Sequence, residues 1–451
     1  MSATGVMAVG SRADGDEPSP EGRGHDVGPT TEELRSTRGQ VVSRALMPRA
    51  REVLLKLPLV PLGAAVAVVA EGRLPTGALL GQLVVLWLLV EVLAYQARYQ
   101  LNDLRDRAAD AAHPEKTHRG RLTFPWTPLR AAVVWGSLVA RVVLAVGLAV
   151  WLPGAAGQAA VAFLVLLVLV SGTYEVCRER IRRGPDVVPG STDARRLGLP
   201  VLLCIPLGYG LRVWAGYHAA SQGELPAVLG LLLVVTVLAT YTATVCTAWA
   251  LEATTFLRGR GEPPAAGLQR RAHVGLLLQH AGLLRAEGTT AAVPAEPASL
   301  VVARDRPASS WADWKVWDVA GALAVLGAYA TVAVGGGAGP LAGAVLGTAA
   351  VVSAAAPTVL HLRSRPGGGA WDGRAPWLAP GSLAAVVAVE VGALVVAAAV
   401  LLLTAPAQAR LLWLVVFVLF QVGSIRTSSY RRGFGPLSTV RRPLAWVRDR
   451  A

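Results

Sequence analysis

Long apolar runs alternate with short, arginine-rich polar connections along most of this chain. A hydrocarbon core of ~30 Å takes about 20 apolar residues in a helix. Runs of that order occupy Val53 to Ala70, Gly77 to Ala97, Leu129 to Leu152, Ala155 to Tyr174 and Leu197 to Gly216. A second set covers Pro226 to Leu251, Val316 to Val334, Pro340 to Leu360 and Leu383 to Leu403, and Ala409 to Ile425 is a shorter tenth. The pattern predicts an all-α protein, a polytopic membrane bundle of nine to ten helices. The stretch Gly335 to Pro340, GGGAGP, is either a loop between two spans or a break within one re-entrant element.

Composition removes the soluble classes. The chain has 451 residues, 53% of them hydrophobic and only 16% charged, with a positive mean hydropathy, which is too apolar for a soluble domain. Its formal charge of +14 sits in short patches between apolar runs, so a membrane surface explains it better than nucleic acid. The three cysteines, Cys177, Cys204 and Cys246, are widely spaced, which argues against a disulfide framework or a zinc site.

Three regions follow. Residues 1–45 are polar, lack apolar periodicity and read as a disordered arm without a cleavable signal. Residues 46–425 form the bundle, with a long connection at 258–315 in which Leu268 to Leu284 reads as an interfacial helix. Residues 426–451 are a basic tail.

Charge also orients the bundle. Of 43 Lys and Arg residues, 37 fall on the two ends and on alternate connections, against Arg73 and Arg410 on the opposite side. The positive-inside rule therefore puts both termini in the cytoplasm and implies an even number of crossings.

The densest chemistry lies in Asn102 to Arg119, NDLRDRAADAAHPEKTHR, directly after the second run. If that helix continues, Asp103, Asp106 and Asp110 fall within about 60° of one face. Carboxylates so arranged suit Mg²⁺, which keeps several waters and takes phosphate oxygens as further ligands. A diphosphate ester is the natural second party.

Asn102, Asp103, Asp106 and Asp110 spell NDxxDxxxD at the end of a membrane helix, and His113, Pro114, Lys116 and Arg119 follow at fixed offsets. The segment resembles the signature of the UbiA superfamily of membrane prenyltransferases, whose members continue DRxHPxKxxRP; Ala111 and Gly120 depart from it. The resemblance implies a UbiA-type bundle. It further implies Mg²⁺ on Asp103, Asp106 and Asp110, a diphosphate-bearing isoprenoid substrate, and Asn102, Lys116 and Arg119 as diphosphate contacts. Tyr174 and Arg178 stand where the family has a YxxxK-like motif that contacts the diphosphate, with arginine replacing lysine. Arginine keeps its charge and can bind two oxygens at once. Arg182 and Arg183 read as ordinary positive-inside residues.

Further charges interrupt apolar runs. Arg212, in a Gly-rich RxxAG context, resembles the decaprenylphosphoryl phosphoribosyltransferase branch, which transfers a phosphoribosyl group to a polyprenyl phosphate. It is a candidate substrate- or diphosphate-binding residue facing a polar cavity, or else one that snorkels to the outer headgroups. Glu91, Arg141 and Glu390 are cavity candidates too, with Glu91 and Arg141 readable as a structural ion pair. The family's second acidic motif is absent: after Leu251 come Glu252, Arg258 and Arg260. Trp311, Trp314 and Trp317 read as an interfacial belt.

Two readings from other classes stand beside the enzyme. One is a catalytically degenerate lipid-binding or scaffolding protein, and the other is a transporter.

Reporter fusions check the orientation. A reporter active only in the cytoplasm is expected to report from both ends; activity only outside for the C-terminal fusion would mean an odd number of crossings and remove the tenth span.

Overall fold

The computed structural model describes residues 58–72, 74–111, 126–183, 192–222, 227–257, 316–337 and 339–349, with short stretches between 392 and 407. Among these residues the secondary structure is helical, joined by turns. In chain order the helices are α1 (Leu59–Glu71), α2 (Gly77–Trp87), a π-helical turn (Leu88–Ala94), α3 (Tyr95–Ala111), α4 (Pro128–Trp151), α5 (Gly154–Arg183), α6 (Thr192–Ser221), α7 (Ala227–Leu257) and α8 (Val316–Gly335), followed by Pro340–Ala349.

Local chemistry sets several boundaries. Gly72 ends α1 with a left-handed φ of 69°, which glycine adopts at no steric cost. Thr76 opens α2 by accepting from the Leu79 amide at 3.2 Å, and Thr127 caps α4 through the Arg130 amide at 3.3 Å, with Pro128 in the first turn. Each hydroxyl satisfies an N–H with no partner inside its helix. Segment α2, the π turn and α3 run on as one rod.

Helix α6 is the hub and packs along α1, α5 and α7, with α8 packed on α7. One apolar core joins Leu62, Val66, Val213, Leu233 and Tyr329 from α1, α6, α7 and α8. A second joins Leu86, Leu89, Ala149, Phe163 and Ala215 around the rod. Backbones approach closest where α1 crosses α6. A Cβ at Gly63 would run into the Val213 carbonyl, and one at Gly216 into the Val60 carbonyl. Small residues of this kind let membrane helices touch where no hydrophobic force drives them together.

Four helices, Gly77–Arg107, Pro128–Trp151, Gly154–Ile181 and Arg196–Ser221, are long and apolar enough to cross a membrane, and four shorter apolar helices accompany them. Large apolar side chains face outward, among them Val143, Val150 and Val168, as a lipid-contacting surface requires. The helices overrun the apolar segments that announce them: α5 continues past Tyr174 to Arg183, α6 past Gly216 to Ser221 and α7 past Leu251 to Leu257. Most of the span expected at Leu383 to Leu403 and all of that at Ala409 to Ile425 lie outside the described residues, as do the arm at 1–45, the connection 258–315 and the tail.

The crossing predicts its own test. Gly63→Leu or Gly216→Leu is expected to destabilise the bundle by about 1–3 kcal/mol, the usual cost of overpacking. Gly136→Leu, which has open space around it, is the control. Thermal melts of the purified variants check this, and three equal midpoints would refute the close crossing.

Candidate functional site

Helix α3 carries the acidic stretch as expected, unbroken through Asp110. Helix α5 comes up beside it and presents Tyr174 and Arg178, four residues apart and so on one face. The Arg178 guanidinium joins the two helices. Its Nη2 donates to both Asp106 oxygens at 2.9 Å, while Nη1 donates to Asn102 Oδ1 at 3.2 Å and to the Tyr174 hydroxyl at 3.1 Å.

Arg105 closes the cluster from the acidic helix itself. It donates to Asp106 through Nε and Nη2, each at 3.1 Å, and to Asn102 Oδ1 at 2.6 Å; its Nη1 pairs with Glu175 on α5. The Asp106 carboxylate thus accepts charge-assisted bonds from two guanidinium groups and is buried, an arrangement about twice as strong per bond as neutral pairs. Arg98, Arg105 and Arg178 all place their guanidinium carbons within 6.0 Å of the Tyr174 ring centroid. Three cations therefore surround one tyrosine, beside the carboxylates of Asp106 and Glu175 that pair with two of them.

Of the residues singled out in the sequence, Asn102, Asp106, Tyr174 and Arg178 come together here. Asp103 lies half-buried on the same helix end. Asp110 is on the last turn of α3, but its side chain, like the whole of Lys116 and Arg119, lies outside the described residues. Arg183 pairs with Glu179 on its own helix at 2.6 Å and is exposed, in keeping with a solvated basic residue.

Arg212 belongs elsewhere. Its side chain is 0% exposed in the bundle interior, so the snorkelling alternative is wrong: α6 continues beyond it, and neighbouring helices cover it on all sides. Nη1 faces Glu91 Oε2 at 3.5 Å, and Nη2 donates to the Tyr99 hydroxyl at 3.1 Å. The guanidinium carbon lies 3.3 Å from the Tyr95 ring centroid and 5.1 Å from that of Tyr209. The pairing of Glu91 with Arg141 is likewise corrected. Arg141 instead donates to Gln100 Oε1 at 2.8 Å, and the Gln100 amide donates to the Val134 carbonyl at 2.8 Å.

Sequence reasoning missed Arg105, Glu175, Arg98, Tyr95 and Tyr99. A signal was present for the tyrosines: Glu91, Tyr95, Tyr99, Asn102 and Asp106 are spaced four, four, three and four apart, which is one helix face. Nothing comparable marks Glu175, whose partner is on another helix.

Among the described residues, no group of three or more His, Cys, Asp or Glu side chains is close enough to hold a metal ion together. By donor type Asn102, Asp103 and Asp106 suit Mg²⁺, which needs only one or two carboxylates when phosphate oxygens and water complete its shell; Asn102 Oδ1 and both Asp106 oxygens accept from Arg105 and Arg178, which a metal ion there would have to displace.

Comparison with known proteins adds no relative: no family model, no curated protein and no solved structure matches this chain.

Proposed function

We propose that this protein is an integral-membrane transferase of UbiA type that transfers a group with loss of diphosphate and takes an isoprenoid as a substrate. One observation carries the reading: Arg178 ties Tyr174 of α5 to Asn102 and Asp106 of α3, so an acidic and a basic motif far apart in the chain share one polar cluster at the end of an apolar bundle. An anionic, metal-binding headgroup on a lipid tail matches that combination.

Asp103 and Asp106 would hold Mg²⁺, which would supply neutralisation of the diphosphate charge, and the sequence motif adds Asp110 as a third carboxylate. Arg178 and Arg105 can exchange the Asp106 oxygens for diphosphate oxygens, and the resemblance adds Lys116 and Arg119, outside the described residues, as further diphosphate contacts. The Tyr174 hydroxyl, which accepts from Arg178, lies in the same cluster, within reach of a phosphate group held there. As the carbon–oxygen bond breaks, its electron pair leaves on the diphosphate, and these donors stabilise the charge that develops. The acceptor's nucleophile bonds to the freed carbon and gives up its proton. The apolar helices shelter the isoprenoid chain and keep water from the cation.

A second reading has phosphoribosyl diphosphate as donor and a polyprenyl phosphate as acceptor. It is favoured by the residues after Leu251, where Glu252, Arg258 and Arg260 stand in place of a second aspartate pair. Arginines can hold a phosphate without a further metal ion.

Purified protein is expected to release inorganic pyrophosphate in an Mg²⁺-dependent manner from one of the two donor classes, with the product read by mass spectrometry. Asp103→Asn and Arg178→Ala are each expected to lower turnover about 10²- to 10³-fold, and Arg178→Lys less, since lysine keeps the charge and loses the fork. Asp103 is the cleaner acidic probe because Asp106 also ties α3 to α5. No release from any donor would favour a lipid-binding or scaffolding role, and wild-type turnover in both variants would remove these residues from the site.

A further inference from the structure

The π turn at Leu88–Ala94 sits midway along the rod that ends in the acidic face. In an α-helix the Tyr95 amide would donate to the Glu91 carbonyl; here it donates to the Val90 carbonyl instead. The Glu91 carbonyl is met by the Gln96 side chain, whose Nε2 donates to it at 3.3 Å. One extra residue in a turn costs hydrogen-bond geometry and rotates everything after it by about 100°. Something must hold the rotated arrangement in place.

Three polar contacts around it come from α6, while its apolar side chains pack on α4 and α5. Glu91, inside the π turn, faces Arg212; Tyr95, the residue that ends it, donates to the Gly208 carbonyl; Tyr99, one turn on, accepts from Arg212. Glu91 and Arg212 are both buried. From Tyr95 the link continues outward: Arg98 lies over the rings of both Tyr95 and Tyr174, and Tyr174 accepts from Arg178 at Asp106. A rotation of α3 would carry Asn102 and Asp106 away from α5.

We propose that Glu91 and Arg212 are positioning residues: their buried ion pair locks the π turn, and the locked turn sets the rotation of α3 that brings Asn102 and Asp106 to Arg178. The link to turnover rests on the transferase reading above, whereas the link to geometry does not. This separates two roles for a buried pair. If it only neutralises charge, deleting both partners should restore the protein, because an apolar pair of similar size is commonly as stable as a buried ion pair. If it sets rotation, deleting both should restore stability and leave the rotation wrong.

The experiment uses the full chain in lipid nanodiscs, with Cys177→Ser and spin labels at Leu101→Cys and Val176→Cys, two exposed positions on α3 and α5. Glu91→Leu and Arg212→Leu singly are expected to lower the melting temperature, and the double variant to regain it. In the double variant the label distance is nevertheless expected to move by several ångströms or broaden, with turnover at least tenfold lower. Gln96→Leu, which leaves the ion pair intact, is expected to keep the wild-type distance. A double variant with wild-type distance and turnover overturns the proposal; should that variant fail to fold, a wild-type distance in Glu91→Gln, which keeps the size and removes the charge, overturns it instead. A wild-type chain that releases no pyrophosphate sinks the transferase reading, and the distances still decide the positioning role.

Discussion

Arg212 puts a guanidinium in the apolar interior of a membrane bundle, and much of the architecture around it answers that one constraint. Taking an ion out of water costs several kcal/mol even after relaxation, and leaving it without its partner costs about 3–5 kcal/mol. Glu91 supplies the opposite charge, Tyr99 an acceptor, and Tyr95 and Tyr209 their ring faces. These groups reside on two helices, α6 and the rod of α2 and α3, so satisfying the cation fixes how the two meet. With α6 also pressed against α1 by glycine contacts and against α5 along its length, the rod and α5 are brought up to one another at the acidic end.

The outer cluster obeys different arithmetic. Arg105 and Glu175 are 30% and 38% exposed, and Arg178 is 19% exposed. The Arg105–Glu175 pair, open to water, contributes roughly 0–1 kcal/mol, while the Arg178–Asp106 pair, with its carboxylate buried, is held more firmly. The inner pair of Arg212 and Glu91 is more deeply buried still, so the penalty for removing one partner rises from the outer cluster inward.

Much of this was legible in the sequence. Apolar runs specify helices in a membrane because backbone groups have no water to bond with there, and the acidic face of α3 follows from spacing along a single continuous helix. Tyr174 and Arg178 could be placed on one face for the same reason. The overrun of α5, α6 and α7 beyond their apolar segments was less legible, since polar residues continue a helix as readily once its first turns are formed.

What the sequence could not decide was any pairing between helices. A linear reading pairs Glu91 with Arg141, and only the packing of α6 against the rod gives it Arg212, leaving Arg141 to Gln100. The salt bridge from Arg105 to Glu175 is of the same kind. So is the π turn, for which no local pattern in LLVEVLA is diagnostic, and whose residues Glu91 and Tyr95 find their partners on α6. Periodicity and charge order determine each helix by itself, through contacts a few residues apart. Rotation and partner choice depend on groups more than a hundred residues distant, such as Tyr95 and Gly208, which only the folded bundle brings within hydrogen-bonding distance.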